Sequence, residues 1–280
     1  MSRIAYVNGR YVPHRDAAVH VEDRGYQFAD AVYEVITVID GKLYDCEGHL
    51  RRLGRSLGEL SMKPPVSDAV YRLVMSRLVQ LNRLKNGTIY IQVSRGVARR
   101  DHKFPAKSET ALVMTIKHLR LPKEQAVQGA KAITVPDQRW ARRDIKTTQL
   151  LANCLAKQAA AEQGAYEAIM IMPDGTISEG SSSNVWLLKE GNVLVTRPAD
   201  HDILNGITRQ SIEKLAKDRQ LKIEERAFDK AELMDADEVF LTSATSLVTA
   251  ITQIDDTVIG EGRVGEIAKS LRSDYLGAAQ

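Results

Sequence analysis

Cysteine is almost missing from this 280-residue chain: Cys46 and Cys154 stand far apart and form no CxxC. That usage excludes a disulfide framework and predicts two reduced thiols, buried by packing, in a cytoplasmic protein. No apolar run approaches the length that spans a bilayer, so no membrane segment is expected. Neither sign of charge dominates. Thirty-nine basic against 36 acidic residues leave +3, which argues against a general nucleic-acid or membrane-surface binder. The six histidines are dispersed without metal-site spacing, so no metal is expected. There is no GxGxxG opening a helix, no GxxxxGK[ST], no HExxH and no GxSxG, which leaves dinucleotide, P-loop, zinc and serine-elbow chemistries unsupported. Internal repeats and low-complexity tracts are absent as well.

What is present is globular, with 44% apolar and 27% charged residues, enough for one large or two ordinary domains. The first ten residues read as an alternating strand ending in an Asn8-Gly9 turn, not as a targeting segment, and Tyr6 to Val12 reads as a hairpin about it. A second hairpin turns at Asp40-Gly41. Leu50, Leu53, Leu57 and Leu60 recur at helical spacing until Pro64-Pro65, and another helix starts at Ser67 and runs toward Asn86-Gly87. Strands over 88–94 and 111–117 follow. Proline and lost periodicity then mark a linker at 120–128, separating a domain over 1–119 from one over 129–280. The second domain opens with a strand at 130–135, then a helix over 148–163, a hairpin about Pro173-Asp174-Gly175, a strand at 193–196, a helix after Gly206 and a strand at 239–242.

The chemistry concentrates in short turns. Thr176 to Val185 reads Thr-Ile-Ser-Glu-Gly-Ser-Ser-Ser-Asn-Val, an acid at a strand end followed by glycine and three hydroxyls. A ligand with a protonated ring nitrogen and a phosphate would use both parts, although glycine and serine also make ordinary polar loops. Gly206-Ile207-Thr208 at a helix start, and Ser243 to Ser246 at a strand end, offer further anion-binding amides and hydroxyls. Each has an everyday reading as a cap or turn. Lys146 sits beside an apolar neighbour between a loop and a helix, where desolvation can make a nucleophilic amine, but spacing alone cannot select it. Arg99 to Lys103 is a basic loop suited to a small carboxylate, or simply a solvated charge run. Arg139 to Arg143 with Trp140 is too short a patch to indicate nucleic acid.

Glu22 to Asp30 followed by Val32-Tyr33-Glu34-Val35, with Asp144-Ile145-Lys146, Glu179 to Asn184 and Gly206 to Arg209, resembles the fold-type IV pyridoxal-phosphate enzymes. Among these the chain is most similar to D-amino acid transaminases, in motif order over nearly its whole length. The resemblance implies an α/β (α+β) fold of two domains, a small N-terminal α/β domain and a larger C-terminal one with a barrel-like sheet. It implies pyridoxal 5'-phosphate as cofactor, Lys146 as the lysine that joins it and moves the proton, and Glu179 as the acid on its ring nitrogen. Arg52, Ser182, Ile207, Thr208, Ser243 and Ala244 complete the implied cofactor site, with Ala244 standing where the family often has a hydroxyl. Tyr33, Arg100 and His102 match the substrate carboxylate trap, and Trp140 and Leu204 match positions flanking the cofactor or side-chain pocket. In that family the arginine and histidine loop enters the neighbouring subunit, so a homodimer is implied. The expected reaction is D-alanine with 2-oxoglutarate giving pyruvate and D-glutamate. The rivals on the same scaffold are an L-branched-chain aminotransferase, an R-selective amine transaminase and an aminodeoxychorismate lyase; a non-catalytic cofactor carrier is the rival from another class.

Overall fold

The computed structural model describes residues 3–119 and 128–277, so all but the last residue of the 120–128 linker lies outside the described residues. The chain divides into two compact units: Met1–Leu121 with Ile145–Gln149, and Pro122–Asp144 with Leu150–Gln280. The sequence reading sets the Ile145–Gln149 stretch in the second domain, with Lys146 in a loop ahead of a helix from about Thr148. The backbone of that stretch instead belongs to the first unit. The Tyr33 N–H donates to the Lys146 carbonyl at 3.0 Å, the Thr148 N–H donates to the Ala31 carbonyl at 3.0 Å, and Thr147 bridges Val32. A strand edge left with unpaired amides takes up an extended segment in this way.

In the first unit β1 (Ile4–Val7) and β2 (Arg10–Pro13) form the expected hairpin, with Asn8 and Gly9 both at positive φ as a tight primed turn requires. β3 (Ala31–Ile39), β4 (Lys42–Leu43), β5 (Gly87–Ser94) and β6 (Ala111–His118) complete a six-stranded antiparallel sheet in the order β2-β1-β6-β5-β3-β4. Helices α2 (Cys46–Glu59) and α3 (Asp68–Asn82) follow a short α1 (Arg24–Phe28). The leucine spacing explains α2: Leu50, Leu53 and Leu57 are buried, and α2 packs on β3. With Ile36, Ile89, Ile91, Met75 and Leu78 they form a core in which each buried side chain contributes roughly 1.5–3 kcal/mol.

The second unit is built on a mixed, barrel-like sheet of nine strands among the described residues. β7 (Ala130–Pro136), α4 (Leu151–Glu162) and β8 (Glu167–Ile171) make a parallel crossover. β9 (Ile177–Gly180), β10 (Asn184–Lys189) and β11 (Val193–Thr196) lead to α5 (Ile207–Asp218). β12 (Lys222–Glu225), α6 (Lys230–Met234), β13 (Glu238–Ser243), β14 (Leu247–Ile254), β15 (Thr257–Val258) and α7 (Glu266–Gly277) follow. The order is β12-β11-β10-β13-β14-β7-β8-β9, with β15 on β14. Trp186 and Phe240 are register partners stacked at 5.8 Å, and the indole N–H donates to Thr242 Oγ1 at 3.0 Å. Such a cross-strand pair fixes the β10–β13 register. Of the two cysteines, Cys46 is half-buried and burial pushes its thiol up to about 11, but Cys154 is exposed, so the expected packing role fails for it. Among the described residues no helix is long and apolar enough to cross a membrane, and no cluster of His, Cys, Asp and Glu could hold a metal ion.

Candidate active site

In the first unit the alternation of β3 sends Tyr33 and Glu34 to opposite faces. Tyr33 stacks on Tyr90 at 5.6 Å, and Lys146 Nζ lies 4.2 Å from the Tyr33 ring centroid. The extended pairing of 145–148 with β3 is what puts that amine there. Tyr90 donates to Gln92 at 2.8 Å, and burial pushes its phenol up to about 12, so it stays a neutral donor. On the other face Glu34 is fully buried under α2. It accepts from Arg52 Nε at 2.7 Å, Arg52 Nη2 at 2.8 Å and His49 Nδ1 at 2.7 Å. The paired Nε–Nη2 edge fixes the Arg52 guanidinium plane.

Burial alone would raise the Glu34 carboxyl, but the charge and hydrogen bonds of Arg52, with those of His49, bring it down to about 2 from 4.5. A carboxyl depressed in the folded state contributes stability above its unfolded value and loses it as pH falls through the folded one. The window is therefore pH 4.5 down to 2, with a contribution on the order of 3 kcal/mol. Melting temperature should fall across that window in the native protein. In Glu34→Gln it should be lower at neutral pH and fall less steeply; equal acid slopes in the two proteins would refute the assignment.

Arg100 and His102 lie elsewhere in the first unit, both exposed in the single chain. Arg100 sits 4.7 Å over the Phe28 ring, Arg24 is at the same distance, and His102 stands 5.6 Å from Phe28. The Arg24 Nη1 donates to the Asp101 carbonyl at 2.6 Å, fixing the loop between them. A cationic loop anchored on an aromatic ring in this way is preorganised for an anion.

In the second unit Glu179 is the penultimate residue of β9, buried. Arg139 Nη1 donates to its Oε1, while Asn184 Nδ2 and the Leu204 N–H each donate to Oε2 at 3.1 Å. Asp137 holds the other edge of Arg139 and receives Arg143 and Ser178. Burial would raise Asp137, but hydrogen bonding and charge from Arg139 hold it at about 2, and Arg139 is pushed above its ordinary value by Glu179 and Asp137 despite burial. The expected charged partner of Glu179 is thus Arg139, from the stretch read as a basic patch. A carboxylate fixed by three donors can hold a cationic N–H.

The three serines converge on one acid. Ser181, Ser182 and Ser183 all donate their hydroxyls to Glu167, a buried carboxylate at the start of β8, with Ser182 at 3.0 Å and Ser183 at 3.1 Å. A buried charge demands donors, and these hydroxyls supply them. Ile207 and Thr208 are the first two residues of α5, behind the cap Gly206, so their N–H groups need no helical partner. Ser243 Oγ accepts from the Ser246 N–H at 3.2 Å and contacts Ser246 Oγ at 2.7 Å, closing the turn that holds Ala244. The β10–β13 register sets Asn184 opposite Thr242, one residue before that turn. Glu179, the α5 start and the 243–246 turn therefore gather at one end of the second sheet. Tyr33 and Lys146 meet in the first unit, whereas Arg52 and the Arg100–His102 loop are separate constellations within it.

Residues 31–254 match the family model of class IV amino-transferases. The chain is 41% identical over 266 residues to the D-alanine aminotransferase of Bacillus licheniformis, covering 95% of this chain and 93% of that protein. It is 41% identical over 273 residues to the D-alanine aminotransferase of Listeria innocua, covering 96% and 94%. The structure is similar to the branched-chain amino acid aminotransferase of Escherichia coli, with a TM-score of 0.94, 26% identity, and coverage of 100% of this chain and 95% of that one. The chain belongs to the class IV aminotransferase family.

Proposed function

We propose that this aminotransferase moves the amino group of a D-amino acid, D-alanine foremost, to a 2-oxo acid such as 2-oxoglutarate, with pyridoxal 5'-phosphate as cofactor. The observation that carries the reading is 41% identity across 95% of the chain to a D-alanine aminotransferase, against 26% to a branched-chain one. The site chemistry fits the cofactor: a buried carboxylate paired with Arg139 suits a cationic ring N–H, and a capped helix start suits a phosphate. When bound, the cofactor accepts the amino group and draws electrons from the substrate's alpha carbon.

Lys146 Nζ would hold the cofactor, take the proton from the substrate's alpha carbon and deliver it to the cofactor's C4' carbon. Glu179 keeps the ring nitrogen protonated, with Arg139 keeping Glu179 ionised. Arg52, the amides of Ile207 and Thr208 and the Ser243 turn bind the phosphate, Ala244 contributing backbone only. Ser182, whose hydroxyl is on Glu167, offers the cofactor its backbone amide. Tyr33, Arg100 and His102 bind the substrate carboxylate, in a cytoplasmic homodimer where the last two serve the neighbouring subunit. In this reading residues 1–119 form the small domain and 129–280 the cofactor-binding one.

The structural similarity to the E. coli enzyme favours a second reading, an L-branched-chain aminotransferase. A panel of D- and L-amino acids with 2-oxoglutarate separates them. Rapid pyruvate formation from D-alanine, with L-leucine and simple amines inert, is expected; the reverse pattern rejects the D assignment. In Arg100→Ala the KM for D-alanine should rise about 10- to 100-fold, the loss of a charge-assisted pair, with kcat changed less.

A further inference from the structure

The geometry points to Asn184 as a positioning residue that ties the acid at the ring end of the cofactor site to the helix at its phosphate end. This rests on the cofactor reading above. Asn184 is 4% exposed, the first residue of β10, and its side chain makes three contacts in three directions. One hydrogen of Nδ2 goes to Glu179 Oε2 at 3.1 Å and the other to the Leu204 carbonyl at 2.8 Å. The Leu204 N–H returns to the same Oε2 at 3.1 Å, closing a ring of three bonds. On its far side the Oδ1 abuts Gly206, the N-cap of α5: a Cβ on Gly206 would stand 2.1 Å from Oδ1 and 3.3 Å from Cγ.

Gly206 has φ −63° and ψ 137°, a backbone open to any residue, so no turn demands glycine there. What demands it is Asn184. The side chain thus fills the space between the acid and the amides of Ile207 and Thr208, and neither can shift alone. Only an amide serves at this position, because both neighbours on the Nδ2 side are acceptors. An aspartate would set a carboxylate against Glu179 and the Leu204 carbonyl.

Single-end variants give the reference. Glu179→Gln should weaken binding of pyridoxal, which has the ring without the phosphate, and Thr208→Ala, which removes the hydroxyl beside the helix-start amides, should weaken binding of inorganic phosphate. Asn184→Ala should weaken both, by about 10-fold each, the range of a buried hydrogen bond to a charge; Asn184→Asp should weaken pyridoxal further. Affinities are measured by titrating the apoenzyme, and the pH dependence of the bound cofactor's absorbance should move in Asn184→Ala toward that of Glu179→Gln. Should Asn184→Ala fail to fold by circular dichroism, Gly206→Ala presses on Asn184 from the other side and should affect pyridoxal as well as phosphate, without touching Glu179. Wild-type pyridoxal affinity and an unmoved absorbance profile in the folded Asn184→Ala or Gly206→Ala protein would overturn the inference while leaving the cofactor reading intact. Failure of the native apoenzyme to bind pyridoxal phosphate would remove that reading, and the inference with it.

Discussion

Replacing Lys146 with alanine should lower kcat for D-alanine by at least about 10³-fold, since in the proposed function one amine serves as both nucleophile and proton carrier, while leaving the fold nearly untouched. The structure separates the two effects. The packing role of position 146 belongs to its main chain: the carbonyl accepts from Tyr33 at 3.0 Å, and the N–H donates to Ser56 Oγ at 3.4 Å. Alanine keeps both bonds. The side chain adds the contact with the Tyr33 ring at 4.2 Å, worth on the order of 1 kcal/mol. The melting temperature should therefore move by a few degrees at most. Lys146→Arg sharpens the test, because a guanidinium keeps the charge and the ring contact yet cannot give up a proton near neutral pH. Both variants should be equally inactive with near-native melting. If either retains more than about a tenth of native kcat, the proton is carried by another group and the assignment of Lys146 fails.

Much of the local structure was legible because it is written in short-range chemistry. Asn8-Gly9 and Asp174-Gly175 announce their turns, and the leucines at 50, 53 and 57 announce a buried helical stripe. The site was legible as motifs and opaque as geometry. Nothing near Lys146 in sequence says that its backbone will pair with β3, because the edge it satisfies lies in the first unit. The three serines looked like an anion cradle because the carboxylate they serve, Glu167, arrives through the β8–β9 hairpin. Arg139 was read within a surface patch, although the acids on either side, Asp137 and Asp144, were the available signal that those arginines pair internally. β14 was missed because Leu247 turns into it at φ 60° with no glycine or asparagine to mark the corner. α7 carried a readable signal in Ala268, Leu271 and Tyr275, all buried.

The removal of charge at Glu179 is the other change with a large expected effect, and here too the hydrogen-bond inventory fixes what to expect. Both carboxylate oxygens accept from donors: Arg139 on Oε1, and Asn184 and the Leu204 N–H on Oε2. In Glu179→Gln the amide NH2 must therefore meet a donor whichever way it turns. The local network must loosen, and the counter-charge that in the proposed function favours a protonated ring nitrogen is gone. Arg139 remains held by Asp137 through Oδ1 and Oδ2 at 3.0 Å and 2.8 Å, so no cation is stranded and the protein should still fold. The kcat for D-alanine should drop about 10²- to 10³-fold, the scale of losing one preorganised charge interaction at a reacting centre. Glu179→Asp keeps the charge and withdraws it by one methylene, so its kcat should lie between the two. A Glu179→Gln enzyme within about threefold of native, or an aspartate variant worse than the glutamine one, would mean that side-chain length matters at this position and its charge does not.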